Sequence, residues 1–205
     1  LLTIRALDRI KSADVLVWAD SLIPAEVTNL TSKTCEKIPT SSLTLEEIVS
    51  LLINRYQKGK KIVRLHDGDP CLYGAISEQI CSLADKGIDV EVIPGISAYQ
   101  AASTTLKSEL TIPNKVQTII LSRAKGRTGM PDNESLDKLA SIKASLCLYL
   151  SARHVKEVQE TLLEHYPSNT PVAICYRVSW EDEWIKLVSL QDIASETRKK
   201  NLIRT

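Results

Sequence analysis

The sequence predicts an α/β protein with two domains, in which strands alternate with helices. Short apolar runs, such as residues 14–19 and 62–66, alternate with segments whose apolar residues recur at helical spacing. Such alternation is typical of a mainly parallel sheet. A turn-forming stretch at residues 111–114 divides the chain. We therefore expect an N-terminal domain over residues 1–112 and a C-terminal domain over residues 113–205.

The first half is predicted to contain strands at residues 14–19, 62–66 and 90–93. Thr44 and Glu47 form a capping-box pattern that opens a helix, and Gly59 is placed to end it. Further helices are predicted before residue 14, over residues 76–84 and through residues 101–102.

The second half is predicted to contain strands at residues 116–121, 146–150, 172–176 and 184–187. Helices are expected over residues 155–162 and 190–199. A long polar loop containing Gly126, Gly129 and Pro131 follows the first of these strands. Loops of this length in compact domains are usually functional or disordered.

The composition is that of an ordinary soluble protein, with 43% apolar and 25% charged residues. The net charge is +1, so the whole chain has no strong field for nucleic acid or an anionic membrane. The sequence has no secretory signal, and no apolar run reaches the ~18 residues of a membrane span. We expect a cytoplasmic protein that binds neither nucleic acid nor membrane. Because the sequence begins with Leu1 and not Met, we also expect it to be part of a longer protein.

The cysteines and histidines show no metal-ligand pattern. The five cysteines include no C-x-x-C pair, and the three histidines are scattered. Neither a disulfide framework nor a structural zinc site is indicated. We predict that the protein itself binds no metal.

Two loops follow predicted strands, at residues 67–70 and 94–97. Ligands of open parallel sheets bind beyond the carboxyl ends of the strands, which is where these loops lie. Their glycines allow close approach of a ligand, and their carboxylates accept hydrogen bonds. The alternative is that both loops only form turns, and spacing alone slightly favours that alternative.

Several stretches resemble the tetrapyrrole methylase family. Residues 1–22 resemble its first helix and second strand, while residues 66–74 and 92–97 are similar to its central pair of motifs. Residues 121–131 and 176–183 resemble the branch that methylates carbon 11 of precorrin-4 or cobalt-precorrin-4.

The resemblance implies two α/β domains, with a mainly parallel N-terminal sheet, a mixed C-terminal sheet and an active site in the cleft between them. It implies S-adenosylmethionine-dependent methylation of carbon 11 of a tetrapyrrole in cobalamin biosynthesis, with S-adenosylhomocysteine as the product. Members of the family are typically homodimers.

The resemblance also assigns site residues. The residues implied to line the cofactor site are Gly68, Asp69, Leu72, Ser97, Ala98, Leu150 and Val178. Those implied to face the cleft as catalytic candidates are Asp20, Tyr73 and Tyr149. Those implied to bind the carboxylates of the substrate are Arg123, Arg127 and Arg177. Alternatives stay open, because Leu72 and Leu150 fit a plain core, Tyr149 fits packing, and Arg123 and Arg127 fit a solvated loop.

The sequence departs from the branch pattern at Lys125, Gly129 and Glu181. The opening strand and glycine-rich loop of the family, and its last strand, are not in the sequence. Three alternatives remain: a sister methylase acting on another ring carbon, a methylase acting on ribosomal RNA or a protein-bound histidine derivative, and a non-catalytic tetrapyrrole-binding protein.

Overall fold

The computed structural model describes residues 1–20, 22–124 and 129–202. The chain divides into two compact units, Leu1–Ala98 and Tyr99–Thr205. The stretch predicted to separate the domains lies inside the second unit, where Ile112 and Val116 form an isolated antiparallel bridge. The domain boundary expected between residues 112 and 113 stays a prediction, and it differs from this division into compact units.

The first unit is built from strands that alternate with helices. Its elements are α1 (Ile4–Lys11), β1 (Val15–Trp18), α2 (Ala25–Thr28), β2 (Glu36–Pro39), α3 (Leu45–Gln57), β3 (Ile62–Leu65) and α4 (Ile76–Ala84). The three strands form a parallel sheet in the order β2-β1-β3, with Val15 opposite both Glu36 and Ile62.

Strand β1 is central and buried on both faces. Val15 and Val17 pack in one cluster with Ile48 and Leu52 of α3. Leu16 points to the opposite face, because successive side chains of a strand alternate, and it packs in a second cluster. The continuous apolar run of β1 is typical of a parallel strand covered on both faces.

The capping box predicted at α3 is confirmed. The Thr44 hydroxyl accepts a hydrogen bond from Glu47 N at 3.3 Å, and the Glu47 carboxylate accepts one from Thr44 N at 2.7 Å. Two N–H groups at the first turn, which lack helical partners, are thereby satisfied.

The strand predicted at residues 90–93 is wrong, because the structure has no strand there. The Asp89 carboxylate accepts a hydrogen bond from Val90 N at 3.0 Å, and local bonds of this kind compete with strand pairing. Strand β2 was not predicted from the sequence. Its only apolar residue besides Pro39 is Ile38, and proline is typical of an edge strand.

The second unit contains both parallel and antiparallel pairs of strands. Its elements are α5 (Ala98–Thr105, which begins at the last residue of the first unit), β4 (Ile119–Arg123), α6 (Leu136–Ser141), β5 (Ser145–Tyr149), α7 (Val155–Leu163), β6 (Pro171–Tyr176), β7 (Trp184–Ser189) and α8 (Ile193–Lys199). Strands β4 and β5 are parallel, whereas β6 and β7 are antiparallel. Both strand directions occur as expected, but the described strands of this unit form two separate two-stranded sheets, whereas a single mixed sheet was predicted.

The core of the second unit lies on α7 and α8. Val158 and Leu162 of α7 pack with Ile193 of α8 and with Ile174 of β6. Among the described residues, every helix is too short or too polar to cross a membrane.

Candidate functional site

The two loops singled out in the sequence meet in the first unit. A Cβ atom placed on Gly95 would lie 1.9 Å from the carbonyl oxygen of Gly68. Gly68 itself has a φ of +59°, and a Cβ there would lie 3.5 Å from Ser97 Cα. Real Cβ contacts are longer than 1.9 Å, so the two backbones touch only because residue 95 has no side chain. The loop after β3 and the loop before α5 therefore form one packed surface.

Asp69 connects the same two loops by hydrogen bonds. Its Oδ1 accepts from Cys71 N at 2.8 Å, within its own turn. Its Oδ2 accepts from Gly95 N at 2.9 Å, across a separation of 26 residues. A carboxylate that accepts two backbone N–H bonds is a strong, charge-assisted clamp. Asp69 thus fixes the spacing of the loops, with both oxygens engaged.

Left-handed backbone recurs in loops that follow strands. Leu150 directly follows β5 with a φ of +53°, Arg177 directly follows β6 with a φ of +47°, and Tyr73 lies in the loop between β3 and α4 with a φ of +59°. Residues other than glycine rarely adopt this conformation, and each such residue costs on the order of 1–3 kcal/mol. Strain of this kind concentrates at functional sites, which makes these turns candidates for ligand contact.

Asp20 is exposed and bound to Ser41. Its Oδ1 accepts a hydrogen bond from Ser41 N at 3.0 Å, and its Oδ2 accepts one from Ser41 Oγ at 2.9 Å. These bonds, chiefly that of the Ser41 hydroxyl, lower the pKa of Asp20. The side chain therefore favours its ionised form and is poorly suited to act as an acid.

Among the arginines, Arg177 has the best-defined surroundings. Its guanidinium bonds the Asp182 carboxylate at 2.7 Å and lies 3.7 Å from the centre of the Trp180 ring. Arg123, which ends β4, donates to Gly129 O at 3.1 Å. Arg127 lies outside the described residues.

The remaining predicted residues differ in exposure. Tyr73 is 44% exposed and Leu150 is 60% exposed, whereas Ser97 is only 4% exposed. Ala98 is exposed, and the half-buried members of the set are Leu72, Tyr149 and Val178. The exposure of Leu150 speaks against a plain core role for that side chain.

Comparison with known proteins identifies the family. Residues 1–194 match the tetrapyrrole (corrin/porphyrin) methylases. The cobalt-precorrin-4 C(11)-methyltransferase of Methanocaldococcus jannaschii is 41% identical over 206 residues, covering 100% of this chain and 80% of that relative. The chain belongs to the tetrapyrrole methylase family.

Solved structures of tetrapyrrole methylases share the fold. A cobalt precorrin-4 methyltransferase is 37% identical and matches with a TM-score of 0.94, covering 99% of this chain and 85% of the other. A uroporphyrin-III C-methyltransferase from Thermus thermophilus, complexed with S-adenyl homocysteine, is 25% identical with a TM-score of 0.79. That match covers 96% of this chain and 85% of the other.

This methylase also places two basic residues beside the Gly68 loop that were not predicted from the sequence. Arg64 donates from Nη1 to Val17 O at 3.3 Å and to Leu65 O at 3.2 Å, and burial lowers its pKa. Burial, together with the Arg64 charge, lowers the pKa of His66 to about 4. The only sequence signal for either residue is a charged or titratable side chain within an apolar run.

His66 should make the stability of this methylase dependent on pH. The fold lowers the pKa of His66 from 6.5 to about 4. Between these two pH values the imidazole is protonated in the unfolded chain and neutral in the folded chain. Stability is then complete above pH 6.5 and falls as the pH drops towards 4, by at most about 3 kcal/mol. Urea unfolding across this window should show a flatter profile for His66→Gln. Equal slopes in both proteins would contradict the assignment.

In the described part of the methylase, one group of three side chains is of the kinds that bind metal ions. Ligand atoms of Asp137, Glu164 and His165 lie within 4.8 Å of one another. His165 Nε2 and Asp137 Oδ1 are 2.6 Å apart, so a hydrogen bond accounts for the contact without an ion. The expected absence of a protein-bound metal stays a prediction.

Proposed function

We propose that this methylase transfers a methyl group from S-adenosylmethionine to carbon 11 of precorrin-4 or cobalt-precorrin-4 in cobalamin biosynthesis. The observation that carries the proposal is the 41% identity with a cobalt-precorrin-4 C(11)-methyltransferase across the whole of this chain. The solved relative that holds S-adenyl homocysteine supports S-adenosylmethionine as the methyl donor.

Methyl transfer from a sulfonium is an in-line displacement. The tetrapyrrole carbon is already an electron-rich, enamine-like nucleophile, so a strong general base is not required. Holding donor and acceptor in line is then the main task, and alignment of this kind supplies on the order of several kcal/mol. Asp20 is ionised and accepts two hydrogen bonds from Ser41, so it fits a role in orienting the reactants better than one in proton donation.

The proposed cofactor site uses residues that lie in or beside loops. In the first unit the residues are Gly68, Asp69, Leu72, Ser97 and Ala98, and in the second they are Leu150 and Val178. The packed glycines favour contacts from backbone groups, since they bring main-chain atoms to the surface of the loops. We assign Asp20, Tyr73 and Tyr149 to orientation of the reactants, and Arg123, Arg127 and Arg177 to the substrate.

The activity is tested by incubating the full-length protein with labelled S-adenosylmethionine and either precorrin-4 or cobalt-precorrin-4. Label at carbon 11 of either substrate is expected, and the preferred substrate shows whether cobalt is already present. Label on another carbon would indicate a sister methylase. Substrate binding without transfer would indicate a non-catalytic tetrapyrrole-binding protein. We further propose that the protein is cytoplasmic and forms a homodimer. Light scattering of the purified protein would check the oligomeric state.

Arg177→Ala should weaken tetrapyrrole binding and leave S-adenosylhomocysteine binding near wild type. The lost charge-assisted contact is worth roughly 1.5–3 kcal/mol if desolvated, and less if exposed to water. Calorimetric titration with each ligand measures both effects, and the substrate effect should shrink as salt is added.

Arg198→Ala provides the control for Arg177→Ala, because it removes the same charge from an exposed position of α8. It should change neither affinity. If Arg177→Ala loses cofactor affinity and keeps substrate affinity, the assignment is reversed. If it lowers only the melting temperature, Arg177 serves the turn through Asp182 and Trp180.

A further inference from the structure

The turn after β5 holds Leu150 in an unfavourable state. Its φ of +53° is left-handed, and the residue is 60% exposed. The Cβ atom disfavours this backbone conformation, and contact of the apolar side chain with water is unfavourable. Something in the surrounding structure must therefore hold the residue in place.

Ser151 provides that restraint. Its hydroxyl accepts a hydrogen bond from Ala124 N at 2.9 Å and donates one to Tyr149 O at 2.8 Å. Ser151 is only 8% exposed, so the bonds are shielded from water. Because residues 149 and 151 are tied together, the residue between them is turned outward.

The turn is anchored at two further points. The Tyr149 hydroxyl accepts a hydrogen bond from Tyr99 N at 3.1 Å, near the start of α5. Ser151 O accepts one from His154 N at 3.0 Å, within the short helical turn that follows. The Ser151 hydroxyl also links the ends of β4 and β5, where Arg123 lies opposite Tyr149.

We infer that Ser151 is a positioning residue, which holds the Leu150 side chain outward as an apolar contact for the adenosyl group of the cofactor. The inference rests on the proposed function, which places Leu150 in the cofactor site. Ser151 itself is buried and acts only through the residue before it. The energy of its two hydrogen bonds maintains a conformation that the cofactor would otherwise have to induce.

A double-mutant cycle in the full-length protein tests this inference. Ser151→Ala and Leu150→Gly should each weaken S-adenosylhomocysteine binding by about 5- to 30-fold. The affinity of the double variant for S-adenosylhomocysteine should equal that of the single variant with the lower affinity, because both changes remove the same contact. Leu150→Gly should not lower the melting temperature, since glycine adopts a positive φ freely.

Ser195→Ala is the matched control. It also removes a hydrogen bond from a hydroxyl to a carbonyl, here 2.9 Å from Ser195 Oγ to Asp192 O, but at an exposed position of α8. Its affinity for S-adenosylhomocysteine should equal that of wild type. If Ser151→Ala does not fold, Ser151→Cys replaces it, because the thiol keeps a weak donor and acceptor. The affinity of Ser151→Cys for S-adenosylhomocysteine should lie between those of wild type and Leu150→Gly.

Two outcomes separate the inference from the proposed function. Folded Ser151 variants that bind S-adenosylhomocysteine like wild type, or losses that add in the double variant, would overturn the inference alone. A wild type that binds S-adenosylhomocysteine but methylates neither precorrin would overturn the proposed function and leave the role of Ser151 standing.

Discussion

Gly95→Ala is expected to weaken cofactor binding strongly, with a loss of about 100-fold or more in affinity for S-adenosylhomocysteine. The added Cβ would lie 1.9 Å from Gly68 O and 2.9 Å from Gly68 C. Both are backbone atoms, so the collision is relieved only by moving one loop away from the other. The separation would cost about 1–3 kcal/mol of stability, as overpacking usually does. A hundredfold loss corresponds to about 2.7 kcal/mol of binding energy.

Gly87→Ala distinguishes this collision from the general effect of replacing a glycine. Gly87 has a φ of +71°, but a Cβ there meets no atom within 4 Å in the described structure. The variant should lose about 1–2 kcal/mol of stability through backbone strain and bind S-adenosylhomocysteine like wild type. Titration calorimetry on both variants, with melting temperatures, checks the difference. Wild-type affinity in folded Gly95→Ala would place the cofactor elsewhere.

Local signals were sufficient for much of the fold. The capping box of Thr44 and Glu47 involves residues three apart, so the sequence contains all of its information. The apolar run of β1 was equally clear, because a strand buried on both faces needs no polar positions. The strand at residues 90–93 was wrongly predicted because local signals are not sufficient there. Strand formation there depends on a pairing partner, and Val90 N bonds Asp89 instead.

The candidate site was only partly predictable. The two motif loops were expected to meet because each was predicted to follow a strand, and they do meet although the strand predicted at residues 90–93 is absent. The bond between Asp69 and Gly95 N spans 26 residues, and no spacing rule indicates it. The same holds for Ser151 and Ala124, which are 27 residues apart and belong to no recognisable motif. Such contacts depend on tertiary structure.

Asp69→Ala should weaken S-adenosylhomocysteine binding by about tenfold to a hundredfold, equivalent to about 1.4–2.7 kcal/mol. The change removes both acceptor oxygens and leaves Gly95 N, which is partly buried, without its partner. A buried donor left unsatisfied costs about 1–3 kcal/mol, which also predicts a lower melting temperature. Asp69→Asn retains one acceptor oxygen, so its affinity should lie between those of Asp69→Ala and wild type.

Two further variants show whether Asp69 acts by holding the loops. Asp89→Ala is the matched control, because the Asp89 carboxylate also accepts a backbone N–H bond but only from its neighbour Val90. Its affinity should stay at the wild-type value.

Ala98→Leu adds bulk at an exposed residue and should block the cofactor without lowering the melting temperature. If neither Asp69→Ala nor Ala98→Leu changes the affinity, the cofactor does not bind at these loops. If Ala98→Leu alone changes it, the loops bind the cofactor without needing the Asp69 bond to Gly95.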